Sequence, residues 1–270
     1  VAVPVRPSAG LGPRRSVYRE FASSVPGVAC AWYGRPGWER NLRVLPDGCV
    51  DVVWNGQELT VMVAVDEPVR VRLRPAGQTV GLRLRCGAAG SLLGYSIAEL
   101  PVGGVPLREL WGPSTVEERL AESADFLAAR SILESLFVDR EADGLPAGAV
   151  SAGARVPEVA AQLGISERGL RRRFAFEVGC SPKQLHRVLR FQRFLARLPR
   201  VACGRTSLAD VAFETGYADQ SHLGRECRAL AGSSPAGLVR TWAGRNVPDN
   251  RPTTGHRARH DVSHHHRRPQ

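Results

Sequence analysis

Lysine is almost missing from this 270-residue chain: Lys183 is the only one, so 36 of the 37 basic residues are arginine. Codon bias accounts for that, yet arginine is also the better bidentate partner for phosphate and for guanine. No apolar run reaches eighteen residues and no secretory signal pattern stands out, which argues against membrane insertion and for a cytoplasmic protein. The six cysteines (30, 49, 86, 180, 203 and 227) form no CxxC pair and have no histidine at ligand spacing. A zinc site and a disulfide framework are thereby disfavoured, and reduced, mostly buried thiols are expected. GxSxG, HExxH, P-loop and dinucleotide fingerprints are all missing, so no catalytic, cofactor-binding or metal-binding residue is assigned.

What the chain does have is positive charge, and it is localised. The formal net charge is +11. Residues 1–150 carry 16 basic and 17 acidic side chains, whereas residues 151–200 carry 11 basic and 3 acidic ones. Such a block fits a polyanionic partner.

From Val17 to about Arg85 the pattern is that of strands. "VRVRLR" (69–74) and "VGLRLR" (80–85) alternate in the period of a half-buried strand, with "PAGQT" as a turn between them. Asn55-Gly56 marks a hairpin between two β-branched runs. Arg70, Arg72, Arg74, Arg83 and Arg85 read as one solvated sheet face, the alternative being a site for an anionic effector. After Gly90 the pattern turns helical. Ser114 and Glu117 are spaced as a capping box, and Leu120, Ala124, Leu127, Ala128, Ile132 and Leu136 follow at helical intervals.

The expected organisation is α+β: a disordered N-terminus (1–16), then a small antiparallel β-barrel or sandwich with helices (17–140), then a linker (141–153). An all-α domain (154–245) with two helix-turn-helix units follows, and a disordered basic tail (246–270) that includes His264–His266.

The all-α assignment rests on a repeat. "VPEVAAQLGISERGLRRRFAFEVGCSPKQL" and "LADVAFETGYADQSHLGRECRALAGSSPAGL" each give a short helix, a glycine turn, a capped second helix, a glycine stop and a Ser-Pro restart. Val159, Ala160 and Leu163 are expected to face inward in the first copy, and Val211, Ala212 and Phe213 in the second. Ser166 and Asp219 cap the second helices, which Leu170 and Phe174, or Leu223 and Cys227, anchor inside. The polar residues past the caps are the candidates for reading bases: Arg168, Arg171 and Arg172 in the first copy, Gln220, Ser221, His222 and Arg225 in the second. Ser166, Arg173, Lys183 and Arg187 are the candidates for holding phosphate. Gly224 and Glu226 are expected to weaken the second reading helix, by low helix propensity and by repelling phosphates.

On "VAAQLGISERGLRRRF", "GCSPKQL", "LADVAFETGYADQSHLGRECR" and "GSSP", residues 155–242 resemble the C-terminal DNA-binding domain of AraC/XylS-family transcription regulators. The resemblance implies seven helices and two helix-turn-helix units in adjacent major grooves. The helix joining them is "PKQLHRVLRFQRFLARL", about 24 Å at 1.5 Å per residue. It would space the heads near one turn of DNA, roughly 34 Å. The earlier residues resemble a β-rich domain found ahead of this module in some AraC-type regulators, on "VLPDGCVDVVWNG", "VGLRLRCGAAGSLLG" and "VPLRELWG". The function so implied is a one-component, sequence-specific regulator of transcription whose front domain senses an effector or dimerises. Its expected partners are double-stranded DNA, a second copy of the chain, a small-molecule effector and RNA polymerase. The competing reading is a thiol-reactive sensor (Cys49, Cys86) or an alkyl-transfer enzyme fused to a DNA-binding module. No Pro-Cys-His-Arg-like context or four-cysteine cluster supports the enzyme.

Overall fold

The computed structural model describes residues 2–4, 17–37, 39–73, 78–151 and 154–243. Among these residues there are nine strands: β1 (Ala2–Pro4), β2 (Val17–Phe21), β3 (Val28–Arg35), β4 (Arg40–Val44), β5 (Val50–Trp54), β6 (Leu59–Val63), β7 (Val69–Leu73), β8 (Thr79–Leu84) and, after the first helix, β9 (Val105–Pro106). They make two antiparallel sheets, one in the order β1-β4-β7 and one in the order β2-β3-β8-β5-β6-β9. The sheets do not close into a barrel, so the sandwich half of the expectation holds. Among the helices, α1 (Ala89–Leu93), α2 (Leu107–Trp111), α3 (Val116–Ala121) and α4 (Phe126–Ser135) belong to the front of the chain. The rear is all helix: α5 (Val156–Gln162), α6 (Glu167–Val178), α7 (Pro182–Leu195), α8 (Leu198–Ala202), α9 (Leu208–Glu214), α10 (Gln220–Ala231) and α11 (Pro235–Ala243).

The strand alternation explains the layering. In β5, Val50, Val52 and Trp54 are buried, as are Leu59, Val61 and Val63 in β6. They pack with Leu92, Leu133 and Phe137 into one core beneath the six-stranded sheet. The intervening residues Asp51, Val53, Thr60 and Met62 face the other way, toward the three-stranded sheet. The Asn55-Gly56 hairpin forms, with Trp54 opposite Leu59 and the Asn55 Oδ1 accepting from the Gln57 and Glu58 amides at 2.9 and 3.0 Å.

Several expectations change. β7 and β8 do not pair: they lie in different sheets, and most of the expected turn between them lies outside the described residues. The arginines consequently share no common face. Arg70 and Arg72 are exposed, whereas Arg83 is largely buried against Asp51 at 3.1 Å and Glu20 at 3.2 Å. Arg74 lies outside the described residues.

The 115–138 stripe is two helices rather than one. Ser114 does not cap α3, because the Glu117 carboxylate is taken by the Leu59 amide at 2.7 Å and by Arg108 at 3.6 Å. Asp125 restarts the helix instead, accepting from the Ala128 amide at 2.9 Å. The break shifts the buried face by one residue to Ala129, Leu133 and Phe137, and leaves Leu127 65% exposed.

The stretch joining the two halves is tied down. Leu145 and Ala149 are buried, the Leu145 amide donates to the Gly87 carbonyl at 2.6 Å, and a Cβ on Gly144 would lie 1.9 Å from that oxygen. At the other end of the chain, residues 2–4 pair with β4, so the expected disorder over 1–16 does not extend to them. The rest of that segment, residues 152 and 153 of the expected linker, and the tail with its three histidines lie outside the described residues.

Candidate nucleic-acid interface

Both reading helices are set by local chemistry. The Ser166 Oγ accepts from the Gly169 amide at 3.1 Å and starts α6; the Asp219 Oδ1 accepts from the His222 amide at 2.6 Å and starts α10. Each cap is worth about 1 kcal/mol. Gly164 and Gly216 make the preceding turns at φ of 64° and 86°, a region that costs a side-chain-bearing residue strain. Between the units runs α7, started by Ser181 in a capping box with Gln184. Its 14 residues span about 21 Å, shorter than the sequence suggests because the helix ends before Arg197 and restarts as α8.

The first reading face is open. Arg168, Arg171 and Arg172 are all exposed, and Arg171 is steadied by Glu167 one turn earlier at 2.7 Å. An exposed pair of this kind is worth little, so a guanine or phosphate would readily draw Arg171 away. Leu170 and Phe174 anchor the opposite side at 1% exposure each. Ser166 uses its oxygen as the cap, which leaves its hydroxyl proton to donate to a phosphate.

Of the other phosphate candidates, Lys183 is exposed and makes no hydrogen bond or ion pair among the described residues. Arg173 turns inward and donates to the carbonyls of Asp143 and Gly144. Arg187 pairs with Glu226 at 2.6 Å. Sequence spacing puts these two arginines near the surface but not the carbonyls and the carboxylate that claim them.

The second reading face is more neutral. Gln220, Ser221 and Arg225 are exposed, while His222 is half-buried with its ring edge-on to Tyr217 at 5.2 Å. Its Nδ1 accepts from the Ala218 amide at 3.4 Å, so in its neutral form it offers Nε2–H outward. Glu226 does not oppose phosphate as expected: its side chain is only 12% exposed and lies between Arg187 and Arg190. Cys227 is fully buried, as read. Phe213 is not inward; it is 83% exposed, because Val211 and Ala212 already fill the short helix's inner face.

Sequence reasoning missed a cavity in the front domain. It holds about 380 Å³ between the two sheets. Leu42, Val44 and Val71 line one wall, and Trp32, Asp51 and Arg83 the other. Trp32 donates to Asp51 at 3.1 Å and lies so flat on Gly81 that a Cβ there would come within 2.4 Å of the indole. Pairing across sheets was the missing information. Burial pushes the Cys30, Cys180 and Cys227 thiols up to about 12 and raises Cys49 and Cys86 as well, which keeps these five in the less reactive thiol form.

Among known families, residues 159–241 match a helix-turn-helix domain and residues 25–103 match a domain of unknown function, DUF6597. Solved structures with a loosely similar arrangement include ToxT from Vibrio cholerae O395, 10% identical over 76% of this chain and 89% of that one, with a TM-score of 0.39. Another is the unsaturated fatty acid-bound wild-type ToxT of V. cholerae strain SCE256, 11% identical over 90% and 95%, with a TM-score of 0.38. No curated protein sequence matches. Fold and matches together define a β-rich domain followed by a double helix-turn-helix domain. The rear domain is an AraC-type helix-turn-helix domain, placed behind a DUF6597 domain. This supports a DNA-binding transcription regulator, a class that is typically not enzymatic. Among the described residues no helix is long and apolar enough to cross a membrane.

Proposed function

We propose that the chain is a sequence-specific, one-component regulator acting in the cytoplasm, with a sensory domain over 17–140 and a DNA-reading domain over 154–245. The observation that carries this is the pair of capped helices, α6 and α10, whose polar N-terminal faces are exposed while a single helix, α7, spaces them. Arg168, Arg171 and Arg172 read guanines in one half-site; Gln220, Ser221, His222 and Arg225 read the other; Ser166 and Lys183 hold phosphate. The cavity between the sheets is the effector site of this reading, large enough for a small molecule. Exposed Leu127 on α4 and Val138 just beyond it offer a face for a second copy, and RNA polymerase is the partner through which bound DNA would be used.

The test is selection of duplexes from a random pool by the full chain, followed by footprinting across a salt series. A two-part site with salt-sensitive affinity is expected, since phosphate contacts release counterions. Equal retention of all sequences would overturn the reading.

A further inference from the structure

Strand β4 presents its alternate residues to two different places. Leu42 and Val44 line the cavity, with Leu42 opposite Val71 and Val44 opposite Val69 on β7. The residues between and after them, Arg43 and Leu45, leave by the other face and reach the second reading head. The Arg43 guanidinium donates to the Ala231 carbonyl at the C-terminal end of α10, next to the left-handed cap Gly232. Leu45 is 1% exposed and packs in the same core as Phe191, Phe194 and Cys227. The Pro46 carbonyl then accepts from Gln192 of α7 at 2.6 Å, and the chain returns to the cavity at Asp47 and Cys49.

We propose that β4 couples the cavity to the second reading head, with Arg43 as the positioning residue that holds α10. The proposal rests on the cavity being the effector site. Its physical basis is the two-residue period of a strand: Leu42 and Val44 cannot be pushed outward without carrying Arg43 and Leu45 with them. A close-packed interior passes such a shift on instead of absorbing it. Arg43 also lies where a cation is favoured, beside the carbonyls that end a helix. The first head is held by other contacts. It meets the front domain elsewhere, through Glu177 of α6, which accepts from the Ser91 amide of α1 at 3.0 Å. Cavity occupancy should therefore move one half-site and leave the other alone.

The experiment uses the full chain on the duplex it selects, with protection of the two halves quantified separately. Arg171→Ala identifies the half read by α6. Arg43→Ala should weaken protection of the other half about tenfold, the scale of a lost hydrogen bond from a charged donor. The α6 half should not change, which also shows that the variant is folded. Arg43→Lys, which can still donate to a carbonyl, should restore part of the loss. Val44→Phe, which fills the cavity from the same strand, should alter the same half only. Arg70 lies opposite Arg43 on the outer face, so Arg70→Ala removes an equal charge and should alter neither half. Equal losses at both halves, or an Arg70→Ala effect matching Arg43→Ala, would overturn the coupling while the regulator reading stands. A wild-type chain that selects no sequence would overturn the regulator reading, and the coupling with it.

Discussion

The two reading heads share a grammar but not a foundation. In the first, Val159, Ala160, Leu170, Phe174 and Val178 join the same core as the buried strands of the front domain. Gly90 of α1 sits so close to α6 that a Cβ on it would come within 2.4 Å of the Phe176 carbonyl. In the second, Val211, Ala212, Leu223, Cys227 and Leu230 cluster with the far half of α7, and among the described residues Leu45 is the front domain's one buried contribution. α7 passes from one core to the other between Leu185 and Val188. The heads differ in chemistry too: three exposed arginines on α6, mostly neutral hydrogen-bonding groups on α10. A head built into its neighbour's core has little freedom to shift, while one held at a few points can be adjusted. On the function proposed above, the first would anchor on DNA and the second would respond to the cavity.

The largest expected effect tests the shared foundation. Phe174→Ala should cost about 3–5 kcal/mol, as a fully buried phenylalanine does, and should loosen the front domain together with the first head. Leu223→Ala, at about 2–5 kcal/mol, should act on the second head alone. Urea unfolding followed by helical circular dichroism and by tryptophan fluorescence separates the two, because Trp32, Trp54 and Trp111 lie in the front domain and Trp242 in α11. If Phe174→Ala left the front-domain tryptophans in a native environment at the point where helix is lost, the fused core would be refuted.

The next effect tests unequal reading. Arg171→Ala should relax preference at one position by about 1–3 kcal/mol, the worth of a bidentate contact to guanine. Gln220→Ala should cost less, since its half-site depends on several neutral contacts. Lys183→Ala should weaken all sequences alike and reduce the salt slope by about one charge. Competition titrations on matched and mismatched duplexes measure all three. Equal losses of preference from Arg171→Ala and Gln220→Ala would make the heads equivalent readers.

How much of this comparison was legible in the sequence depends on how local the signal is. The caps Ser166, Ser181, Ser207 and Asp219 and the stops Gly179 and Gly232 all lie where the repeat puts them, because a cap is decided within four residues. Glu226 and Arg173 were misread because their partners, Arg187 and the 143–144 carbonyls, are 39 and about 30 residues away in the chain. The α3–α4 break was hidden for the same reason: Glu117 is spent on Leu59, 58 residues earlier. β4 reads "RNLRV", too polar to stand out as a strand: Asn41 is exposed, and Arg43 is held by the Ala231 carbonyl of α10, 188 residues further on. The cavity exists only once β4 and β7 lie over β5, β6 and β8.

The smallest expected effect lies where α7 crosses between the two cores. His186 sits there, and its pKa is lowered from the ordinary 6.5 by burial first, then by Arg190 and Arg193. Its Nε2 is buried without a hydrogen-bond partner among the described residues, so the folded chain resists placing a second proton on the ring. The unfolded chain has no such resistance and takes up the proton more readily below pH 6.5. The contribution of His186 is therefore fully present above that pH and is lost as the pH falls toward the folded value. Asp210, whose pKa is lowered from 3.8 by its capping box with Ser207, titrates in a separate, more acidic range. Urea unfolding of the wild type should thus show a slight loss of stability as the pH falls below about 6.5, which His186→Gln should flatten. Because Leu185 belongs to the first core and Val188 to the second, the loss should appear as weaker coupling between the unfolding of the two heads. An unchanged slope in the variant would place the acid sensitivity elsewhere and leave the crossing point of α7 indifferent to pH.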